Sequence, residues 1–157
     1  MYYTALVLAA RRPGEKNPLS LAQGVSHKCL IDMAGQPMIR RVVDTLAASP
    51  EIGKILISVD DEAALANVAP LSALRAMGRL EFVASGPNLF KSVKQALSRD
   101  VDYPILVTTA DNALMTEDMI ARFCLDCDAS AAVVGVAVTK AETVWAKYPE
   151  GQRRPHR

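Results

Sequence analysis

Apolar and polar positions change their spacing repeatedly along the chain, and each change predicts an element. Thr4 to Ala9 is an unbroken apolar run ending in small residues. Continuous hydrophobicity of that length suits a strand covered on both faces. Ile39, Val42, Val43 and Leu46 then recur at i, i+3, i+4 and i+7, with Arg40, Arg41 and Asp44 between them. That spacing predicts an amphipathic helix, which Pro37 can open because a missing N–H does little harm in a first turn. Further strands are predicted over Lys54–Val59, Leu80–Ala84, Pro104–Thr108 and Ala131–Val138. Asp60 and Asp61 suit a helix start, where carboxylates satisfy free N–H groups. Gly86-Pro87-Asn88 turns the chain into a helix carrying Phe90, Val93, Ala96 and Leu97. Another helix is predicted from about Thr116 to Cys127, and a weaker one over Ala141–Lys147. Lys28 to Met33 reads as a brief extended piece before the turn Gly35-Gln36-Pro37. Residues 10–27, with Pro13, Gly14, Pro18 and Gly24, read as a long loop.

Strands that alternate with helices need crossover connections, so the order predicts a mostly parallel sheet in a three-layer α/β/α sandwich. The 157 residues fit one domain. An α/β domain is expected over residues 1–139, followed by a short segment, 140–157, whose basic end Arg153-Arg154-Pro155-His156-Arg157 has no apolar complement. Ligands of such sheets bind at the carboxyl ends of the strands. Three unusual segments are predicted there: residues 9–28, 85–92 and 109–112.

Composition narrows the classes. A net charge of +1 provides no strong field toward nucleic acid or a membrane surface. No run approaches the ~18 apolar residues of a membrane span, and the first residues lack the charged flank of a signal peptide. Cys29, Cys124 and Cys127 are odd in number. Cys124 and Cys127 lie in a helical pattern with no second ligand pair, so they read as small packing residues. Free thiols fit a reducing compartment, and the expected location is cytoplasmic.

Small residues at Leu8-Ala9-Ala10, ahead of Gly14, would let backbone N–H groups approach phosphate oxygens. Arg12 and Lys28 would add positive charge against a triphosphate. The alternative is a surface loop with solvated cations. Asp60 is expected to cap a helix, and His27 to be an exposed loop residue.

Leu8-Ala9-Ala10, the glycine-containing basic loop, Lys28-Cys29-Leu30 and Gly35-Gln36-Pro37-Met38-Ile39 follow one another in an order that resembles the nucleotidyltransferases of the glycosyltransferase-A-like fold. The order is similar to that of the molybdenum-cofactor guanylyltransferase and cytidylyltransferase relatives. Gly86-Pro87-Asn88 followed by Ser92-Val93-Lys94-Gln95-Ala96-Leu97 is similar to that family's turn and S-V-x-x-A-L helix. Leu106 to Thr116 resembles its strand ending in D-x-P-x-[LI], with Ala113 in the proline position. The resemblance implies a Rossmann-like fold of the nucleotide-diphospho-sugar transferase type. It implies nucleotide contacts at Leu8, Ala9, Ala10, Gly14, Lys28, Gly86 and Ser92, with the last two near base and ribose. It assigns Arg12 and Lys28 to catalysis by charge neutralisation, and Asp111 to a magnesium ion (Mg). The implied activity moves a nucleoside monophosphate from a nucleoside triphosphate (NTP) to a phosphate or hydroxyl of a small-molecule acceptor, with release of pyrophosphate. A nucleotide-binding or regulatory remnant without turnover, and a nucleotide-sugar-dependent glycosyltransferase, are the alternatives. Family members continue with further strands, so the resemblance also implies a chain shortened at its C-terminus, with an open sheet edge for a partner or a second copy.

Overall fold

A computed structural model describes residues 2–11, 14 and 17–147. Its strands are β1 (Tyr3–Leu8), β2 (Ile52–Val59), β3 (Leu80–Ala84) and β4 (Ile105–Thr109). Its helices are α1 (Pro18–Ala22), α2 (Met38–Ala48), α3 (Leu71–Ala76), α4 (Leu89–Leu97), α5 (Glu117–Asp128) and α6 (Ala141–Lys147). The strands form one sheet in the order β3-β2-β1-β4, and all three pairings are parallel. β1 lies between β2 and β4, so it has partners on both sides and helices above and below. That is the reason its sequence is apolar at nearly every position.

The strands' alternating side chains sort into two layers. Tyr3, Ala5, Val7, Ile55, Ile57, Leu80 and Leu106 share one core with Ile39, Val42, Val43 and Leu46 of α2 and Leu71 and Leu74 of α3, joined by Ile120 and Cys124. On the other face Leu6, Leu56 and Val83 pack with Ala96 of α4. Three layers result, as the alternation predicts. The chain divides into two compact units, Met1–Cys124 and Leu125–Arg157. The first holds the whole sheet.

Several expectations need correction. The loop over 10–27 contains α1, because Asn17 accepts hydrogen bonds from the Leu19 and Ser20 amides while Pro18 occupies the first turn. Lys28–Leu30 is a 3-10 turn, not an extended piece, and the extended contact comes later, where Asp32 bridges Pro37. Asp61, not Asp60, caps the turn that follows β2, a 3-10 turn over Glu62–Leu65. Phe90 is 72% exposed, while the polar Ser92 is buried in its place. Ala131–Val138 forms no strand among the described residues, and Val133 is 100% exposed. An apolar run becomes a strand only where a neighbour accepts its backbone ladder, and here none does. α6 forms on the predicted residues but buries none of them. Arg12 and the basic end 153–157 lie outside the described residues.

No helix among the described residues is long and apolar enough to cross a membrane.

Candidate functional site

The parallel sheet sends β1, β2, β3 and β4 out along one edge. Backbone pairing continues one residue past the strands: the Ala9 amide donates to the Ser58 carbonyl at 2.9 Å, the Ala110 amide to the Leu8 carbonyl at 3.0 Å, and the Ser85 amide to the Val59 carbonyl at 3.0 Å. The segments that follow therefore leave the sheet side by side. Lys28 reaches this edge on its 3-10 turn because its two neighbours, His27 and Cys29, are both buried. Cys29 packs into the core beside Ala9. Burial pushes its thiol up to about 12, so it stays protonated and serves as packing.

Lys28 Nζ donates to Asp111 Oδ2 at 2.5 Å, across 83 positions of sequence. Asp111 follows β4 by two residues. Partial burial raises its pKa, but the Lys28 and Thr109 hydrogen bonds outweigh that and hold the carboxyl below its ordinary value. The structure thus pairs the Lys28 ammonium with the Asp111 carboxylate at the carboxyl end of the parallel sheet.

A second cluster stands beside it. Asp60, one residue beyond β2, accepts from the Arg11 amide at 3.1 Å through Oδ1 and from Arg11 Nε at 2.8 Å through Oδ2. His27 Nε2 is 3.0 Å from Asp60 Oδ1, and its Nδ1 is 2.8 Å from Ser26 Oγ. His27 is fully buried, contrary to the expectation of an exposed ring. Burial opposes ionisation of Asp60, yet the Arg11 amide and guanidinium, with the His27 ring, bring its carboxyl down to about 2.

A depressed carboxylate contributes stability that is complete above its ordinary value of 3.8 and is lost as pH falls toward about 2. The Asp60 side chain is 30% exposed, and solvent screening reduces its share to about 1 kcal/mol. Denaturant titrations at a series of acid pH values should show wild type losing about that much more stability than Asp60→Asn between about pH 4 and pH 2. Superimposable acid profiles would contradict the assignment.

The remaining candidates occupy distinct places. Leu8 and Ala10 are half-buried and Ala9 is buried, with the Ala9 amide engaged by Ser58. Gly14 is exposed at φ +77°, in the left-handed region that favours glycine. Gly86 follows β3 and lies against the first turn of α4: a side-chain carbon there would come within 2.7 Å of the Lys91 carbonyl carbon. The Ser92 hydroxyl accepts from the Gly86 amide at 3.0 Å and donates to the Asn88 carbonyl at 3.0 Å. Ser92 therefore shapes the turn that carries Gly86. Cys124 is buried in the core and Cys127 is half-buried. Sequence reasoning gave no role to Thr109 or Arg11 and misjudged His27. The available signal was position, since all three lie in or beside segments that leave the carboxyl edge.

A polar cavity of about 300 Å³ lies elsewhere, near the strands' amino ends, lined by Thr4, Lys54, Glu81 and Arg99 among others. Lys54 Nζ pairs with Glu81 at 2.7 Å and holds that carboxyl below its ordinary value.

Two kinds of likeness bear on the chain's family and fold. A family model described as a MobA-like NTP transferase domain matches residues 5–153. No curated protein sequence matches the chain. Among solved structures, a hypothetical transferase from Thermus thermophilus is 27% identical, with a TM-score of 0.71 over 98% of this chain and 58% of its own. A CMP:2-keto-3-deoxy-manno-octonic acid synthetase complexed with CTP is 15% identical, with a TM-score of 0.59 over 84% of this chain and 49% of its own. A nucleotidyl transferase from Methanothermobacter thermautotrophicus is 18% identical, with a TM-score of 0.56 over 79% of this chain and 57% of its own. The last two likenesses concern the fold, and the chain spans roughly half the length of these solved relatives. Because the family match leaves out only four residues at each end, and the parallel sheet is shared with nucleotidyltransferases of the glycosyltransferase-A-like fold, the chain belongs to the MobA-like NTP transferase domain family.

Proposed function

We propose that the chain binds a nucleoside triphosphate with Mg at the carboxyl edge of its sheet and transfers the nucleoside monophosphate to a phosphate or hydroxyl of a small acceptor. The observation that carries this reading is the meeting of Lys28 and Asp111 at 2.5 Å. In the free protein the two charges neutralise each other. A bound triphosphate would take Lys28 as its counter-charge, leaving Asp111 for the metal.

The donor set fits magnesium. Asp111 supplies hard carboxylate oxygen, and magnesium uses one or two carboxylates with substrate phosphates and water rather than an all-protein cage. When bound, the metal neutralises phosphate charge. Lys28 and Arg12 would hold the phosphates and oppose the charge that grows on the departing group. The acceptor oxygen would form a bond to the α-phosphorus while the bond from that phosphorus to the bridging oxygen breaks and pyrophosphate leaves with the electron pair; a hydroxyl acceptor would release its proton to solvent. Gly86 would lie near the base or ribose on a turn that Ser92 fixes and that packs against α4 because Gly86 has no side chain. Alignment and electrostatic stabilisation provide the acceleration.

Incubation with each of the four common NTPs, magnesium and a panel of phosphate- and hydroxyl-bearing acceptors should release pyrophosphate in an acceptor-dependent, chelator-sensitive manner. Saturable nucleotide binding with no release across the panel would overturn the transfer reaction and leave a binding role.

A further inference from the structure

We propose that Asp60 is a positioning residue that ties the loop after β1 to the Lys28 turn, setting the phosphate-binding surface before nucleotide arrives. The inference rests on the nucleotide reading above. Two carboxylate oxygens serve three donors. Oδ1 takes the Arg11 amide and faces His27 Nε2, while Oδ2 takes Arg11 Nε. Arg11 is 49 residues from Asp60 and His27 is 33.

Each arm leads to a different part of the site. The Arg11 amide belongs to the backbone that leaves β1 toward Gly14. His27 immediately precedes Lys28, and its carbonyl accepts from the Leu30 amide at 3.0 Å to close the 3-10 turn. The ring is fully buried, so it cannot swing away without opening the turn. Both ring nitrogens are engaged, Nε2 by Asp60 Oδ1 and Nδ1 by Ser26 Oγ. The base of the clamp is rigid, because Asp60 directly follows Val59, a buried residue paired to β3.

Helix capping does not account for this arrangement. The cap of the following turn is Asp61, whose side chain accepts from the Ala63 amide. Both Asp60 oxygens are directed at residues from other segments. Arg11 and the Lys28 turn, held in place by a sheet-anchored carboxylate, need less ordering when ligand binds, and that preorganisation appears as affinity.

The test uses the full chain with Asp60→Ala and the milder Asp60→Asn. Amide hydrogen exchange is followed residue by residue without nucleotide. Affinities are then measured for the four common NTPs with magnesium and for the matching nucleosides. In Asp60→Ala, exchange at Arg11, Leu30 and Ile31 should rise about tenfold while β1 and β2 amides keep their protection. Triphosphate affinity should fall about tenfold and nucleoside affinity by less than about twofold. Asp60→Asn, which keeps an acceptor, should show about a threefold change in each. Unchanged exchange at Arg11, Leu30 and Ile31 in both variants overturns the clamp. Equal losses for triphosphate and nucleoside overturn the positioning role and leave an anchor of the fold. A wild-type chain that binds no NTP overturns the nucleotide reading and with it the role assigned to Asp60 there; the exchange data then decide separately whether the clamp exists.

Discussion

Lys28→Ala is expected to lower kcat/KM for nucleotide transfer by about a hundred- to a thousandfold, the loss typical when one preorganised donor is removed from a site of developing negative charge. The side chain is half exposed and its partner Asp111 is one third exposed, so the ion pair itself adds only about 0–1 kcal/mol to folding. The variant should therefore fold with nearly unchanged stability, and the loss belongs to the site. Its pattern is diagnostic. Affinity for a triphosphate should fall more than about tenfold, because a compact ammonium beside three phosphates is lost. Affinity for the nucleoside should change little. Equal losses for both ligands would remove Lys28 from the phosphate-binding surface. Lys28→Arg should recover only part of the activity, since a planar fork does not occupy the place of a point charge on a flexible stem.

The second large effect falls on Asp111. Asp111→Asn is expected to abolish the gain in nucleotide affinity that magnesium confers on the wild type and to reduce transfer by about a hundredfold or more. The sign without metal is the informative part. Partial burial raises the Asp111 pKa, but hydrogen bonding to Lys28 and Thr109 holds the carboxyl below its ordinary value, so it is charged at neutral pH. Its charge then repels a metal-free triphosphate, so the asparagine variant should bind NTP in chelator at least as tightly as wild type does. Calorimetric titrations with and without magnesium provide all four numbers. A magnesium-dependent gain that survives in Asp111→Asn would exclude this carboxylate as the metal ligand. A loss of affinity in chelator would point instead to a structural role for Asp111.

The two variants act on one pair from opposite sides. Removing Lys28 leaves Asp111 without its cation, and removing Asp111 frees Lys28. Their effects are not expected to add, because each side chain changes the state of the other.

Much of the fold was legible because burial follows a period. Ile39, Val42, Val43 and Leu46 are all buried in α2, and Leu80–Ala84 coincides with β3. Helix starts were harder to read. Asn17 and Pro18 form a five-residue helix inside what reads as a loop, since a side-chain cap and a preset proline suffice for one turn. Ala131–Val138 shows the opposite failure. Its composition suits a strand, but a strand requires a partner's backbone, and composition carries no information about partners. Phe90, expected among the helix's apolar positions, is exposed, while the Ser92 hydroxyl is buried against the turn that carries Gly86.

By itself the amino-acid order determined the alternation of elements, hence the parallel sheet and its carboxyl edge, because hydrophobic spacing is a local property that each segment carries with it. The family resemblance of its motifs also singled out Lys28 for phosphate and Asp111 for a metal ion. Only the tertiary structure decided which charges meet. Lys28 finds Asp111 across 83 residues, and Asp60 gathers Arg11 and His27 across 49 and 33. Such pairings depend on strand order and on where each chain segment leaves the sheet. Coulomb attraction acts through space, so no spacing along the chain encodes it.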